Sequence, residues 1–157
     1  MDLKSKIILI SGPTASGKSK AALKIAKKLN GEIINADSMQ VYKELNILTA
    51  RPSKIDLNKI NHHLYGFRSV KKEFSSGDWL KLAKKNIKKI RDKNKIPVLV
   101  GGTGLYFKAL TDGLVKIPKI PIQIRNKIRQ MQNNLGQKKF YLKLLKNDPL
   151  VKNRIDL

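Results

Sequence analysis

A glycine-framed segment near the start of the chain narrows its possible folds more than any other part of the sequence. Residues 12–19 read GPTASGKS and fit the pattern G-x-x-x-x-G-K-[ST]. The preceding segment, Lys6–Ser11, is a short β-branched run typical of a buried strand, and residues 18–29 carry apolar side chains along one helical face. A loop between such a strand and such a helix directs its backbone N–H groups at phosphate oxygens. The sequence therefore predicts a site for a di- or triphosphate.

The eight residues of the predicted phosphate-binding loop are Gly12, Pro13, Thr14, Ala15, Ser16, Gly17, Lys18 and Ser19. The Lys18 ammonium is expected to reach the outer phosphate, and the Ser19 hydroxyl is a candidate ligand for Mg²⁺. An ordinary glycine turn is the simpler interpretation. The apolar strand before the loop and the amphipathic helix after it favour the phosphate site.

Strand and helix signals alternate through the first 113 residues. Glu32–Asn35 and Ile96–Val100 are short apolar runs, and His62–Phe67 is a further strand candidate. Residues 78–93 repeat apolar side chains at steps of three and four, with Asp78 as the expected N-cap of that helix. This alternation predicts an α/β fold, with a P-loop NTPase-like parallel sheet, flanking helices and right-handed crossovers.

The pattern changes after Gly113. Residues 115–121 contain two prolines and cannot continue a helix, while residues beyond them form two apolar helical stripes. Asp148 and Pro149 are typical of the cap and first residue of a third helix. The sequence therefore predicts a core over residues 1–114 and an all-helical appendage over residues 115–157.

Composition excludes several classes of function but leaves nucleic-acid binding open. No cysteine is present, which excludes a disulfide framework, a Cys-type zinc site and a thiol nucleophile. The formal net charge is +23, yet only six of the 34 basic residues are arginine, as expected when the coding sequence is biased toward A and T. The first apolar run, Ile7–Ile10, is too short for a signal peptide or a membrane span. We therefore expect a soluble, cytoplasmic protein.

The residues after the predicted strands indicate which phosphate chemistry to expect. P-loop ATPases usually carry a metal-binding Asp after a second strand, whereas Ile96–Val100 runs into Gly101, Gly102 and Thr103. The acid at a strand end is instead Asp37, which follows EIINA. This arrangement disfavours a hydrolytic motor and leaves a small-molecule kinase open.

Ligands of doubly wound sheets bind at the carboxyl ends of the strands, so the phosphate loop, Asp37 and Thr103 are predicted to converge. Asp37 would act as a general base, and Thr103 would donate a hydrogen bond to developing negative charge. Each residue also has a simpler interpretation. Asp37 would then be the N-cap of a helix beginning at Ser38, and Thr103 the cap of a tight turn.

Four blocks of the sequence resemble the bacterial tRNA dimethylallyltransferase family in order and spacing: GPTASGKS (12–19), NADSMQVYK (35–43), HHLYGF (62–67) and PVLVGGTGLYFKAL (97–110). The resemblance covers roughly residues 5–130, and it implies that residues 115–157 are the beginning of the family's helical tRNA-binding insertion. It implies a monomeric enzyme, dependent on Mg²⁺, whose substrates are dimethylallyl diphosphate and the anticodon stem-loop of tRNA. The dimethylallyl group would pass to N6 of the adenosine 3′ of the anticodon, with release of diphosphate.

The resemblance also implies roles for individual residues. Asp37 matches the family's base, which accepts a proton from the N6 amine, and Thr103 matches a threonine near the bridging oxygen of the diphosphate. Both also belong to the implied tRNA-binding surface. The other residues that match tRNA-contacting positions are Ser38, Met39, Gln40 and Arg125. The target base must leave its stack to reach such a pocket.

The chain departs from the family pattern in one loop and in length. Where the family commonly reads G-L-D-I-G-T-A-K-P, residues 44–52 read ELNILTARP, so Glu44, Asn46 and Leu48 are expected to alter the loop and its tRNA contacts. Family members are about twice as long, which predicts that the final core strands are missing here. Three alternatives follow: a nucleoside- or shikimate-type kinase with Asp37 as base, an inactive fragment that binds phosphate or RNA, and the related adenylate isopentenyltransferase.

Overall fold

Four parallel strands form the sheet of this protein, for which a computed structural model describes residues 6–115, 118 and 120–155. The strands are β1 (Ile8–Ser11), β2 (Gly31–Asn35), β3 (His62–His63) and β4 (Ile96–Gly101). Their order is β1-β4-β2-β3, so β4 lies between β1 and β2. The parallel sheet confirms the predicted α/β class. Because all strands run the same way, the carboxyl ends of β1, β2 and β4 meet at one edge.

The helices are α1 (Lys18–Lys28), α2 (Lys54–Lys59), α3 (Ser76–Asp92), α4 (Gly104–Thr111) and α5 (Ile122–Asn147), followed by a 3₁₀ turn at Pro149–Asn153. The sequence signals did not predict α2. Two predictions were wrong in detail. The strand predicted at His62–Phe67 is only two residues long. Asp78 is not the N-cap of α3: Ser75 holds that position, and the Asp78 carboxylate accepts a hydrogen bond from the Ser75 N–H at 3.1 Å in a capping box.

The core consists of two apolar layers, one on each face of the sheet. Side chains alternate along β2, so that Ile33 packs toward α1 while Ile34 packs toward α3 and α4. The largest buried side chain is Trp79, whose ring stacks on Tyr106 with centroids 4.3 Å apart. Removing an aromatic side chain from such a position typically costs about 3–5 kcal/mol. This layer therefore fixes α3 and α4 against the sheet.

A buried carboxylate holds together the end of the sheet opposite the phosphate-binding loop. Glu32 is fully buried, and its oxygens accept hydrogen bonds from Lys95 Nζ at 3.0 Å and Asn61 Nδ2 at 3.2 Å and lie 2.7 Å from His63 Nε2. Lys93 Nζ lies 3.5 Å away. Burial opposes ionisation, but the hydrogen bonds from His63, Lys95 and Asn61 outweigh it and lower the pKa of Glu32 to about 2. The carboxylate is therefore charged at neutral pH.

The chain divides into two compact units, Met1–Leu114 and Val115–Leu157. In the second unit α5 is interrupted at Gly136, where φ is 71° and ψ is 164°, so it consists of two helical segments. The Asp148 carboxylate accepts a hydrogen bond from the Leu150 N–H at 3.1 Å, which caps the 3₁₀ turn that begins at Pro149. Part of the predicted proline-rich junction, residues 116, 117 and 119, lies outside the described residues. Among the described helices, none combines the length and the apolar character needed to cross a membrane.

Candidate active site

The phosphate-binding loop joins β1 directly to α1. Gly17 is the N-cap of α1 with φ at 80°, a left-handed conformation that costs glycine little. Ala15 also has positive φ, at 61°, which is strained for a residue with a Cβ. The Lys18 ammonium donates a hydrogen bond to the Pro13 carbonyl and so lies across the loop. The first turn of α1 contains no acid, and its free N–H groups and Lys18 make this end of the helix suitable for an anion.

Asp37 is held just beyond the carboxyl end of β2. Its Oδ1 accepts a hydrogen bond from the Met39 N–H at 2.9 Å, and the side chain is half-buried. The alternative that Asp37 caps a helix beginning at Ser38 is wrong, because residues 38–50 form turns and a single bridge. The Asp37 carboxylate instead stabilises a tight turn and faces the cleft described below.

Thr103 lies after β4 and contacts the Asp37 turn. It is the N-cap of α4, as the simpler interpretation predicted, although its side chain makes no capping hydrogen bond. Thr103 Oγ1 accepts a hydrogen bond from the Ser38 N–H at 2.9 Å and donates to Ser38 Oγ at 3.3 Å. The Thr103 N–H donates to the Ala36 carbonyl at 3.2 Å. The turn after β4 is therefore attached to the turn after β2 by side chain and backbone.

Close backbone packing brings three loops together at this edge of the sheet. A Cβ on Gly101 would lie 2.1 Å from the Ala36 carbonyl carbon, so only glycine fits there. A Cβ built on Gly102 would lie 3.5 Å from the Gly12 carbonyl oxygen and 3.8 Å from Asp37 Oδ2. The GG pair between β4 and Thr103 thus separates the phosphate loop from Asp37 by a single layer of backbone. The predicted convergence of these segments is present.

A cleft of about 620 Å³ opens between the phosphate loop and the Asp37 turn. Predicted residues in its wall are Thr14, Ala15, Ser16, Gly17, Lys18, Ser19, Asp37, Met39 and Gln40. Gly12, Pro13, Ser38 and Thr103, which were also predicted for the site, are not among the residues that line the cleft. Arg125 belongs to the second unit, where it is exposed in the first turn of α5. The cleft therefore has a polar side, which consists of the phosphate loop and Asp37.

The rest of the cleft wall is largely apolar, and the sequence reasoning did not predict its residues. They are Leu45, Leu48, Thr49, Ala50, Tyr65 and Val100, together with Lys20 and Gly101. The only available signals were Tyr65 within the block HHLYGF and the unusual leucine at position 48. Burial, and then the charge of Asp37, raise the pKa of the Tyr65 phenol, which therefore stays neutral. A cleft whose wall combines the N-terminus of a helix, a carboxylate and aliphatic side chains suits a ligand with a charged head and an apolar tail.

The loop that departs from the family pattern has its own hydrogen bonds. Glu44 Oε2 accepts from the Val70 N–H at 3.1 Å, and Asn46 Oδ1 accepts from Arg51 Nε at 2.9 Å. Hydrogen bonds to backbone and side-chain donors lower the pKa of Glu44. Gln40 Nε2 donates to the Thr49 carbonyl at 2.7 Å, which ties the Asp37 turn to the same loop. Polar contacts thus hold in place a segment for which glycine is common in the family.

The oxygen atoms in the cleft fit a hard cation that is shared with a phosphate ligand. The Ser19 hydroxyl and the Asp37 carboxylate both line the wall. Mg²⁺ usually binds through one or two protein oxygens together with substrate phosphates and water. Within the described residues no cluster of three His, Cys, Asp or Glu could hold a metal by itself. The donor set therefore suits Mg²⁺ that arrives with a diphosphate.

Comparisons with known proteins give matches within a single enzyme family. The family model for IPP transferase matches residues 40–157. The tRNA dimethylallyltransferase of Pelagibacter ubique is 65% identical over 99% of this chain and 50% of its own length, and that of Allorhizobium ampelinum is 48% identical over 95% and 49%. The chain therefore spans about half the length of these curated relatives.

Two solved structures are similar in fold and sequence. The full-length tRNA isopentenylpyrophosphate transferase of Bacillus halodurans superposes with a TM-score of 0.69 at 36% identity, covering 96% of this chain and 50% of that one. A eukaryotic dimethylallyltransferase that acts on tRNA gives a TM-score of 0.79 at 30% identity, with 96% and 37% covered. Both likenesses extend over nearly the whole of this chain.

Proposed function

Because the chain belongs to the IPP transferase family, we propose that it carries the diphosphate-binding and base-activating half of a tRNA dimethylallyltransferase. The donor is dimethylallyl diphosphate, and the acceptor is N6 of the adenosine 3′ of the anticodon. The observation that carries this proposal is the cleft, whose wall combines the predicted phosphate-binding loop, a carboxylate and an apolar part. A kinase that moves a phosphoryl group between small polar molecules has no need of that apolar wall.

The proposed reaction breaks the bond between C1 of the dimethylallyl group and the diphosphate oxygen and forms a bond from C1 to N6. Negative charge develops on the leaving diphosphate, where the N–H groups of the loop and the Lys18 ammonium stabilise it. Asp37 accepts the proton that N6 loses. The transferred group is dimethylallyl and no phosphoryl group moves. This accounts for the absence of an acid at the end of β4, where Gly101 and Gly102 stand.

Mg²⁺ is the cofactor that we assign to this site, with the Ser19 hydroxyl as its protein ligand. When bound, the ion neutralises part of the diphosphate charge. The role of the chain itself is to orient the diphosphate through residues 12–19 and to place the Asp37 carboxylate on the side where the amine enters. Thr103 and Ser38 keep the Asp37 turn against the end of β4.

The proposed macromolecular partner is the anticodon stem-loop of tRNA, and several features support it. The relatives named above are tRNA-modifying enzymes. Met39 is 52% exposed and lines the cleft, where its apolar side chain can contact an RNA base that has left its stack. Gln40 lies next to it, and Arg125 offers a charge for the RNA backbone from the second unit. The anticodon adenosine would then approach Asp37 past Met39.

The decisive experiment gives the protein a choice of donors. In a chimera, residues 1–157 replace the matching segment of the Pelagibacter ubique enzyme, which restores the length typical of the family. The chimera receives Mg²⁺, an anticodon stem-loop RNA and either dimethylallyl diphosphate or ATP. We expect dimethylallylated RNA and free diphosphate. Phosphorylation of RNA or of a small acceptor, with no prenyl transfer, would overturn the proposal.

Matched variants separate binding from chemistry. Asp37→Ala is expected to lower turnover by about 10²–10⁴-fold, as is typical for loss of a general base, while dimethylallyl diphosphate still binds. Lys18→Ala is expected to abolish that binding. The controls are Asp92→Ala, an exposed acid of α3, and Lys24→Ala, an exposed lysine of α1. Normal turnover in Asp37→Ala would remove this residue from the mechanism, and unchanged affinity in Lys18→Ala would remove the loop.

A further inference from the structure

Asn35, the last residue of β2, uses its whole side-chain amide to hold the backbone around Asp37. The residue is fully buried. Its Oδ1 accepts a hydrogen bond from the Asp37 N–H at 2.9 Å, and its Nδ2 donates to the Asp37 carbonyl, also at 2.9 Å. One side chain that solvent does not reach therefore holds Asp37 at both its backbone N–H and its backbone carbonyl.

The same amide reaches the apolar wall of the cleft. Asn35 Nδ2 makes its second donation to the Leu64 carbonyl at 3.0 Å. Leu64 has φ at 63°, an unfavourable conformation for a residue with a branched side chain, and it precedes Tyr65 in the cleft wall. One carboxamide thus fixes the turn that carries Asp37 and the turn that presents Tyr65.

Asn35 is itself held by the core. The Trp79 indole N–H donates to the Asn35 carbonyl at 2.8 Å, and Trp79 is fully buried against Tyr106. The backbone that carries the amide is consequently attached to the rigid layer between the sheet and α3. Rigid support of this kind is what a carboxylate needs if its direction is to matter for a reaction.

Asparagine supplies the acceptor and the donors that this set of contacts requires. It combines one acceptor with two donors, and all three are used here. Aspartate has almost the same shape but lacks both donors when ionised. Every other residue of β2 is also buried, so an apolar side chain would be the ordinary choice at this position. The polar residue therefore points to a task outside simple packing.

We propose that Asn35 is a positioning residue that sets the direction of the Asp37 carboxylate toward the acceptor amine. This inference rests on the proposed role of Asp37 as the base. Small displacements of a reacting group lower rates strongly, since a misplacement of about 1 Å can cost about 100-fold. Loss of the two donations should therefore reduce kcat, whereas the diphosphate, which binds to a different loop, should bind as before.

The test uses Asn35→Asp in the chimera, with Asn86→Asp as the matched control because the Asn86 amide also donates to a backbone carbonyl, on α3. We expect Asn35→Asp to lower kcat by about 10–100-fold, with KM for dimethylallyl diphosphate changed by less than about 3-fold. In the Asp37→Ala background the same substitution should lower kcat by less than about 3-fold, because a residue that acts through Asp37 has nothing left to position.

Two results would overturn the inference: an unchanged kcat in Asn35→Asp, or an undiminished loss of kcat in the Asp37→Ala background. Amide hydrogen exchange in the chain itself provides a readout that needs no activity. Exchange of the Met39 amide, which donates to Asp37 Oδ1 and so reports the direction of the carboxylate, should accelerate at least about 10-fold in Asn35→Asp, while α3 amides stay unchanged. If the unsubstituted chimera transfers no prenyl group, the proposed function fails, and the exchange data still decide whether Asn35 holds the turn. Asn35→Ser, with the same expectations, replaces Asn35→Asp if the latter does not fold.

Discussion

Glu32→Gln should remove a defined part of the acid sensitivity of this protein. The substitution keeps the shape of the side chain but removes the charge that His63, Lys93 and Lys95 surround. The pKa of Glu32 is about 2 in the folded protein, against 4.5 for an unperturbed glutamate. Because the folded-state pKa is depressed, the unfolded chain takes up the proton first as the pH falls. The ionised network therefore stabilises the fold above about pH 4.5 and loses that contribution as the pH falls toward 2.

The difference of roughly 2.5 pH units corresponds to about 3 kcal/mol of unfolding free energy at neutral pH. About 2 kcal/mol of this is already lost at pH 3, because the unfolded carboxylate is then almost fully protonated while the folded one is still mostly charged. Glu32→Gln lacks this contribution to the unfolding free energy at every pH. The unfolding free energies of the protein and the variant should therefore differ most at pH 7 and approach each other by about 2 kcal/mol at pH 3.

Urea unfolding provides the measurement, since Trp79 is the single tryptophan and is fully buried, so its fluorescence reports the native core. Curves are recorded at pH 7, 5, 4 and 3 for the protein, for Glu32→Gln and for Glu73→Gln, an exposed acid that serves as control. The unfolding free energy of the control should change with pH as that of the unsubstituted protein does. If the unfolding free energy of Glu32→Gln also changes in this way from pH 7 to pH 3, the pKa of Glu32 is not depressed and the assignment of the network is wrong.

Three further predictions concern the cleft and its RNA partner, and all are measured in the chimera. Thr103→Val should lower kcat by about 10-fold or more by freeing the Ser38 N–H, whereas Thr103→Ser should stay within about 3-fold; equal losses would show that the hydroxyl is not the reason. Leu48→Gly removes aliphatic surface from the cleft, so its affinity for dimethylallyl diphosphate should fall by about 3–10-fold. Its affinity for a ten-carbon prenyl diphosphate should fall less, and an unchanged ratio of the two affinities would exclude Leu48 from the site of the apolar tail. The affinity for anticodon stem-loop RNA should fall steeply with salt: the logarithm of the binding constant should decrease against the logarithm of the salt concentration with a slope of about −0.7 for each phosphate contacted. An affinity that does not depend on salt would mean that the lysines reflect compositional bias and do not bind RNA.

Local patterns in the sequence sufficed for the elements that carry the phosphate site. The run Ile7–Ile10, the loop at 12–19 and the lysine-faced helix after it are contiguous, so their geometry depends on near neighbours and is visible in the order of residues. The short strand β3 and the helix α2 were not predictable in the same way. Each is too short to show a period, and β3 exists because His62 and His63 pair with β2.

The site was predictable only where a residue stands directly after a strand. Asp37 and Thr103 were identified because the carboxyl ends of parallel strands meet at one edge. Leu45, Leu48 and Tyr65 were missed because their place in the cleft depends on how two loops fold back over the sheet. Aliphatic residues in a loop have no sequence pattern that distinguishes a ligand wall from ordinary packing.

The amino-acid sequence by itself determined the fold class, the phosphate-binding loop and the chemistry to expect of Asp37, because each depends on short segments whose conformation is set locally. Tertiary structure alone decided which groups hold those residues in place. Asn35 and Trp79 are 44 residues apart, and Ser38 and Thr103 are 65 apart, yet both pairs are joined by hydrogen bonds. Such contacts arise when separate strands pair and their backbones approach as closely as Gly101 and Ala36 do. The order of residues does not show which backbones will approach each other. The contacts that hold the site in place are therefore seen only in the tertiary structure.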